Sequence, residues 1–237
     1  KVELSGGEDR YRRLLVMDSY TNVLAGDLTV GIELQQSDGP WQDIREEGDK
    51  KNVYVKHSSK VDEGIFSISL MAYDNSWNSA DQIPGRAVTA GTIDELGSID
   101  SDVGGDSSRY SISAEYKSEL AYLSVYAIDY ELDLISNFTY FLDDPVNGDR
   151  FQQIDERNIY GGQAHYHFQQ GIMTNTLGGD VRYDDISDVG LKRITANGFD
   201  DVRRDAVNEW SVGLYANNQM QWTEKLKNNR GNTLRLL

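Results

Sequence analysis

The chain has 237 residues, enough for one large β-domain, and a net charge of −16 from 39 acidic and 23 basic side chains. This acidity argues against a nucleic-acid partner, because the phosphates would be repelled. Cysteine is absent, which excludes disulfides and thiolate metal sites, and no apolar run is long enough for a membrane helix.

Segments in which apolar and polar side chains alternate follow one another along the chain. A period of two is the pattern of β-strands whose two faces differ. About ten strands are predicted, at residues 1–4, 10–20, 28–36, 52–59, 65–74, 110–116, 120–140, 159–168, 173–184 and 209–223. The expected fold is therefore all-β and antiparallel, as one β-barrel domain or barrel segment over residues 1–237.

The 120–140 segment is the longest of these strands. Its even-numbered positions are nearly all apolar or aromatic, and its odd-numbered positions become polar from Asp129 onward. Strands of globular proteins are usually about five or six residues long. A strand this long, with Tyr on its apolar side, is typical of a transmembrane β-barrel. A long hairpin of a soluble β-sandwich or β-helix has the same local pattern.

The connections between the strands alternate in length. Short turns are predicted near 22–27, 61–64, 117–119 and 169–171, and long loops near 37–50, 75–109, 141–157 and 186–208. Outer-membrane barrels have short periplasmic turns and long external loops, whereas a sandwich has no reason to sort its loops by end. The pattern therefore favours an up-and-down barrel in the outer membrane, with external loops at the four long connections.

Aromatic residues on the predicted apolar faces suggest where the membrane boundaries lie. Trp210 and Trp222 are twelve residues apart on one face of a strand, which matches two aromatic girdles about 25 Å apart on a tilted strand. The expected girdle residues are Tyr126, Tyr130, Tyr160, Trp210 and Trp222.

Several segments, in collinear order over nearly the whole chain, resemble the barrel of a TonB-dependent receptor, a bacterial outer-membrane transporter of siderophores, vitamins, sugars and other nutrients. They are SDGPW (37–41), WNSADQIPGRAV (77–88), GGDSSRYSISAEY (104–116), SNFTYFLDDPVNGDRFQQIDERNIYGG (136–162), VRYDDISDVGL (181–191) and SVGLYANNQMQWTEKL (211–226). The resemblance implies a 22-stranded barrel around a globular plug, through which an inner-membrane complex supplies energy. This sequence has about ten predicted strands and neither plug nor TonB box, so it is expected to be the first part of such a barrel.

Receptors of this family bind ligand with external loops and the plug apex, which directs attention to loop aromatics and polar residues. The candidates for ligand contact are Trp41, Trp77, Asp81, Gln82, Phe141, Asp143 and Asp144. The competing interpretation is that the aromatic residues anchor the membrane rim and that the Asp residues are solvated loop charge.

No pattern indicates catalysis or a cofactor. His165 and His167 share one face of a strand, but two ligands without a third are weak support for a metal site. A Ser-His-Asp signature, a phosphate-binding glycine motif and a Cys/His cluster are all missing. We therefore expect no enzyme activity, no metal and no cofactor.

The function expected from the sequence is nutrient uptake across the outer membrane of a Gram-negative bacterium, with a siderophore or another scarce small molecule as ligand. The expected partners are outer-membrane lipid, that ligand and, only through a plug, the inner-membrane energising complex. Two alternatives remain: a small stand-alone barrel acting as a passive pore, and a soluble extracellular β-protein that binds carbohydrate.

Overall fold

Each strand pairs antiparallel with the next, and together they form one sheet of eleven strands in sequence order. The computed structural model describes residues 1–79, 82–146, 148–223 and 226–236, with side chains described up to residue 220. The strands are β1 (Val2–Gly6), β2 (Arg12–Val23), β3 (Gly26–Ser37), β4 (Gly48–Val61), β5 (Gly64–Asn78), β6 (Gly104–Lys117), β7 (Ala121–Ser136), β8 (Phe151–Gln170), β9 (Met173–Thr195), β10 (Gly198–Thr223) and β11 (Leu226–Leu236). A short helix, α1 (Gly85–Thr89), lies between β5 and β6.

The predicted all-β, up-and-down architecture is confirmed. The additional strand is β11, in the basic carboxyl-terminal segment that the alternation pattern left unassigned. Within the described residues β1 and β11 form the two edges of the sheet and do not pair with each other. Also within those residues, every helix is too short or too polar to cross a membrane.

One face of the sheet is apolar and exposed, and we call it the apolar face. A row of directly paired residues crosses eight strands on it: Val30, Val55, Leu70, Ile112, Ala127, Tyr160, Tyr183 and Trp210. Leu70 is 48% exposed and Ile112 is 49% exposed, so these side chains are not a core. A continuous exposed apolar surface of this width is what a barrel presents to lipid.

The opposite face, which we call the polar face, carries the residues that are adjacent in sequence to those of the apolar row. The matching row on it consists of Thr29, Lys56, Ser69, Ser113, Tyr126, Gly161, Arg182 and Ser211. Ion pairs such as Arg13 with Glu33 and Arg182 with Asp184 lie on this face. In a closed barrel the polar face lines the interior.

The predicted orientation of β7 is wrong. Leu123 and Val125, at odd positions, are 50% and 49% exposed on the apolar face. Tyr126 and Tyr130 lie on the polar face, paired with Ser113 and Arg109, so they cannot be membrane-girdle residues. The sequence misleads because the first half of β7 is apolar on both sides. The ring of Tyr126 covers Gly161 of β8, where an added Cβ would lie 2.4 Å from the hydroxyl oxygen.

An aromatic ladder crosses β8, β9 and β10 on the apolar face. Tyr160 stacks on Tyr183 at 6.3 Å between ring centroids, and Tyr183 stacks on Trp210 at 4.5 Å. The next row toward the long connections is polar and consists of Asn158, Asp185 and Asn208. Tyr160 and Trp210 therefore lie where the apolar surface meets a polar rim, and their assignment to a membrane girdle stays a prediction. The side chain of Trp222 lies outside the described residues.

The four long connections are shorter than the sequence predicts, because the strands extend into them. The first external loop is 38–47, the second is 79–103 with α1, and the third is 137–150. The predicted strand 120–140 accordingly ends at Ser136. The alternation stops there because Asn137 and Tyr140 turn inward and are buried.

The predicted 186–208 loop is wrong, since β9 and β10 continue through it as a hairpin with a turn at 196–197. We call residues 186–208 the projecting hairpin. Extra residues shift the register near Ser187, Val202 and Ala206. Each β-bulge reverses the side-chain alternation, so no period of two spans the segment.

Candidate functional site

The three external loops pack against one another at the end of the sheet with the long connections. The backbone N–H of Gln42 donates to the carbonyl oxygen of Leu96 at 3.0 Å, which joins the first loop to the second. The carboxylate of Asp43 accepts the N–H of Ser98 at 3.0 Å. Ile44 is 8% exposed and Val103 is 1% exposed. The loops therefore pack together as one folded layer and are not independent of one another.

Asn137 joins the third loop to the second. Asn137 is 1% exposed, and its Nδ2 donates to the Asp100 carboxylate at 3.0 Å. Its Oδ1 accepts the backbone N–H of Tyr140 at 3.0 Å. Arg86, in α1, donates to the carbonyl oxygens of Thr139 and Tyr140 at 2.8 and 2.7 Å. Residues of the second loop therefore hold the start of the third loop in place.

Asp149 holds the turn of the third loop from within. Its carboxylate accepts the hydroxyl of Thr139 at 2.6 Å and the backbone N–H groups of Leu142, Asp143 and Asp144 at 2.8, 3.2 and 2.7 Å. Burial opposes ionisation, but these four donors outweigh it and lower the pKa of Asp149 to about 2. Asp149 is therefore a structural anion that holds the turn of the third loop.

The backbone of the third loop is strained where it presents an aromatic side chain. Tyr140 and Phe141 have φ angles of 49° and 60°, a region that non-glycine residues rarely adopt. Tyr140 is 2% exposed, whereas Phe141 is 52% exposed. Strain of this kind costs about 1–3 kcal/mol per residue and persists only where surrounding contacts impose it. Here Asn137, Arg86 and Asp149 supply those contacts.

A cavity of about 400 Å³ lies between the third loop and the projecting hairpin. It is lined by Phe138, Thr139, Asp143, Asp144, Asp149, Arg150, Phe151, Leu191, Arg193 and Val202. Phe138 and Phe151 meet edge to face, with ring centroids 5.2 Å apart. Phe151 is paired with Arg193 on the polar-face side of the strands, so the cavity opens on the polar face of the sheet. We call it the vestibule cavity.

The charges around the vestibule cavity are of two kinds. Arg150 is committed to Asp100 and Asp102, at 3.5 and 2.6 Å. Arg193 is exposed and makes no ion pair within the part of the chain that the structure describes. The cavity therefore offers aromatic surface, one uncommitted guanidinium and the carboxylates of Asp143 and Asp144.

The structure brings together only some of the sequence-predicted ligand residues. Asp143 and Asp144 line the vestibule cavity, and Phe141 lies in the same loop with its ring against Gly148. The other described candidates are elsewhere: Trp41 and Gln82 in the first and second loops, and Trp77 on β5 with its ring over Gly105. Asp81 lies outside the described residues.

Sequence analysis misses the remaining lining residues, principally Phe138, Phe151, Arg193 and Val202. Phe138 is assigned by its alternation to the apolar face of a strand, and Arg193 and Val202 fall in the stretch predicted as a loop. The available signal is a Phe near each end of the third loop, at 138 and 151, because the two ends of a loop that joins paired strands lie close together.

The two histidines lie on the polar face, away from this cavity. The ring of His165 stacks on Tyr122 at 5.1 Å and meets His167 edge to face at 4.8 Å. His167 Nδ1 is 2.7 Å from the hydroxyl of Thr176. The described residues contain no group of three His, Cys, Asp or Glu side chains placed to hold a metal ion.

No protein-family model and no curated protein matches the chain. Solved structures do match. The siderophore receptor PiuA of Acinetobacter baumannii superposes with a TM-score of 0.65 at 11% identity, over 98% of this chain and 45% of that one. The outer membrane transporter YddB of Escherichia coli superposes with a TM-score of 0.56 at 10% identity, over 95% of this chain and 33% of that one. The chain thus spans less than half the length of either protein. Its eleven-stranded sheet has the fold of the β-barrel of these outer-membrane transporters and receptors.

Proposed function

We propose that the chain is part of the barrel of an outer-membrane nutrient receptor, and that its external loops take a small ligand from outside the cell. The observation that carries the proposal is the vestibule cavity. It combines a folded loop layer, a strained aromatic turn and the guanidinium of Arg193, which makes no ion pair within the described residues, and it opens on the polar-face side. Concave sites with aromatic surface and a few placed polar groups are typical of small-molecule binding.

The ligand class is a siderophore or another scarce nutrient with both aromatic or apolar and polar groups. The fold shared with a siderophore receptor and with a transporter supports this class. Phe138 and Phe151 would pack against the apolar part of the ligand, and Arg193 would pair with an anionic group. Transport of this kind needs binding and release without covalent chemistry. Energy would come from an inner-membrane complex acting through a plug.

A soluble carbohydrate-binding protein is not supported, because the apolar face spans eight strands and remains exposed. Soluble monomers rarely expose continuous apolar patches larger than about 600 Å². We therefore place the protein in the outer membrane, with the three external loops and the projecting hairpin on the outside.

The test is binding and uptake by cells that carry the protein in their outer membrane, with a panel of radiolabelled ferric siderophores, oligosaccharides and peptides. We expect one ligand class to be taken up only while the inner membrane is energised. Phe138→Ala should reduce binding of that ligand class by about tenfold or more, the usual effect of removing an aromatic side chain that the bound partner buries.

Phe199→Ala is the matched control. Phe199 is 57% exposed on the projecting hairpin and Phe138 is 52% exposed, but only Phe138 lines the cavity. Equal effects of the two substitutions would overturn the assignment of the site. Uptake of all small solutes at equal rates, without energy, would replace the receptor with a passive pore.

A further inference from the structure

A second cavity, distinct from the vestibule, lies on the apolar face. It is a groove of about 480 Å³ that crosses β4 to β8. Its floor is formed by two small residues placed between larger ones: Ala127 between Ile112 and Tyr160, and Ala72 between Val53 and Tyr110. The groove is therefore an indentation in the surface that meets lipid, and we call it the apolar groove.

The external end of the apolar groove is polar. Asp129 is directly paired with Tyr110 on one side and with Asn158 on the other, and all three line the groove together with Tyr160. Within the described residues, none of these four side chains makes a hydrogen bond or an ion pair. Polar groups at the rim of an apolar site are left for solvent or for a ligand.

The position of the groove determines what can fill it. It is continuous with the row of exposed apolar residues from Val30 to Trp210, so its surroundings are the acyl chains of the membrane. It lies just inside the polar rim on the side of the external loops, which is the outer leaflet in the proposed orientation. An acyl chain from an outer-leaflet lipid is the occupant that these surroundings supply.

The chemistry of Asp129 selects among lipids. An ionised carboxylate only accepts hydrogen bonds, so its partner must be a donor. An ester-linked acyl chain carries no donor at its linkage, whereas an amide-linked or hydroxylated chain does. Glu131 and Glu156, directly paired in the next polar row, add further acceptors. These carboxylates favour the hydroxyl groups of a sugar over a bare phosphate.

We propose that the apolar groove binds one acyl chain of an outer-leaflet glycolipid, with the amide or hydroxyl group of that chain donating to Asp129. The site depends on the membrane orientation but not on the vestibule cavity or on the nutrient ligand. It lies in the middle of the described sheet, away from the edges β1 and β11.

The test is native mass spectrometry of the protein purified from outer membranes, stripped of lipid in detergent, and titrated with monophosphoryl lipid A or with phosphatidylcholine, whose head group and ester linkages carry no hydrogen-bond donor. We expect lipid A to bind about tenfold more tightly, because a hydrogen bond to a charged group contributes about 1.5–3 kcal/mol. Asp129→Ala should lower lipid A binding to the level of phosphatidylcholine and leave the binding of phosphatidylcholine unchanged.

Ala127→Leu should fill the floor of the groove and weaken both lipids. Ala114→Leu is its matched control, since Ala114 lies on the same face, paired with Ile68 and Val125, and does not line the groove. Equal binding by the two Leu variants, or an Asp129→Ala protein that still prefers lipid A, would overturn the proposal. If Ala127→Leu fails to fold, the Asp129→Ala result decides, because that side chain lies at the rim.

Discussion

At the scale of single residues, the external loops depend on charges and amides that act on the backbone. Asp149 is an example in which one carboxylate satisfies four donors of a single turn. Asp143 and Asp144, in the same loop, look equivalent to Asp149 in the sequence, and nothing in the spacing shows which of the three carboxylates holds the turn. The difference arises only when the loop closes on itself.

We expect Asp149→Asn to loosen the turn of the third loop. The carboxylate of Asp149 accepts hydrogen bonds from backbone N–H groups, and the side-chain NH2 of asparagine is a donor that cannot accept them. Loss of a charged acceptor costs about 1.5–3 kcal/mol, so hydrogen exchange of the amides of residues 142–144 should be about ten- to a hundredfold faster. Asp143→Asn, in the same loop, should leave exchange unchanged. Unaltered exchange in Asp149→Asn would contradict the role given to this carboxylate.

The same group gives a pH dependence. The pKa of Asp149 is lowered to about 2, below the usual value near 3.9, so its contribution is complete above about pH 4. As the pH falls from about 4 toward 2, the carboxylate is protonated and that contribution is lost. The difference in amide hydrogen exchange between the unchanged protein and Asp149→Asn should therefore become smaller over the same pH interval.

At the scale of elements, a period of two identifies a strand but not which of its faces meets lipid. In β7 both faces begin with apolar side chains, so the pattern does not show which face is external. Cross-strand pairing makes the distinction. Val125 is paired with Ala114 and Gly162, whereas Ser124 is paired with Glu115 and Gln163. A single sequence does not contain this register, because it depends on turns and bulges elsewhere in the sheet.

Substituting arginine at these adjacent positions tests the corrected orientation. Val125→Arg should destabilise the folded protein in lipid by about 2–4 kcal/mol, the cost of an arginine on the lipid face at mid-depth. Ser124→Arg should cost little, because its side chain points to the polar face. Folding titrations into phospholipid vesicles measure both. The reverse order of the two costs would restore the orientation predicted from the sequence.

At the scale of the whole molecule, the strand order and the short turns could be predicted, but the architecture of the external end could not. The alternation pattern locates most strands because each has one apolar and one polar face along most of its length. It fails from 186 to 208, where bulges break the period, and from 137 onward, where Asn137 and Tyr140 are buried by other loops. The vestibule cavity is assembled from these two regions, so most of its lining could not be predicted.

Because the loops form one layer, a substitution that destabilises one loop should also destabilise another. We expect Asn137→Ala to expose both the second and the third loop to proteolysis, since it leaves buried partners unsatisfied at a cost of about 1–3 kcal/mol. The exposed Asn197→Ala, in the hairpin turn, should leave both loops resistant. Mapping the cleavage sites by mass spectrometry checks this. Cleavage confined to 137–150 would show that the loops are independent.

The unbroken antiparallel order of the sheet restricts how it can become a barrel. Strands alternate in direction from β1 to β11, so the two edge strands run in the same direction. Joining them directly would require a parallel seam. A closed barrel that keeps every pair antiparallel must add an odd number of strands, at either edge or at both, and so must hold an even total. The topology of these eleven strands therefore fixes the parity of any all-antiparallel barrel that contains them, whatever its diameter and whichever polypeptide supplies the rest.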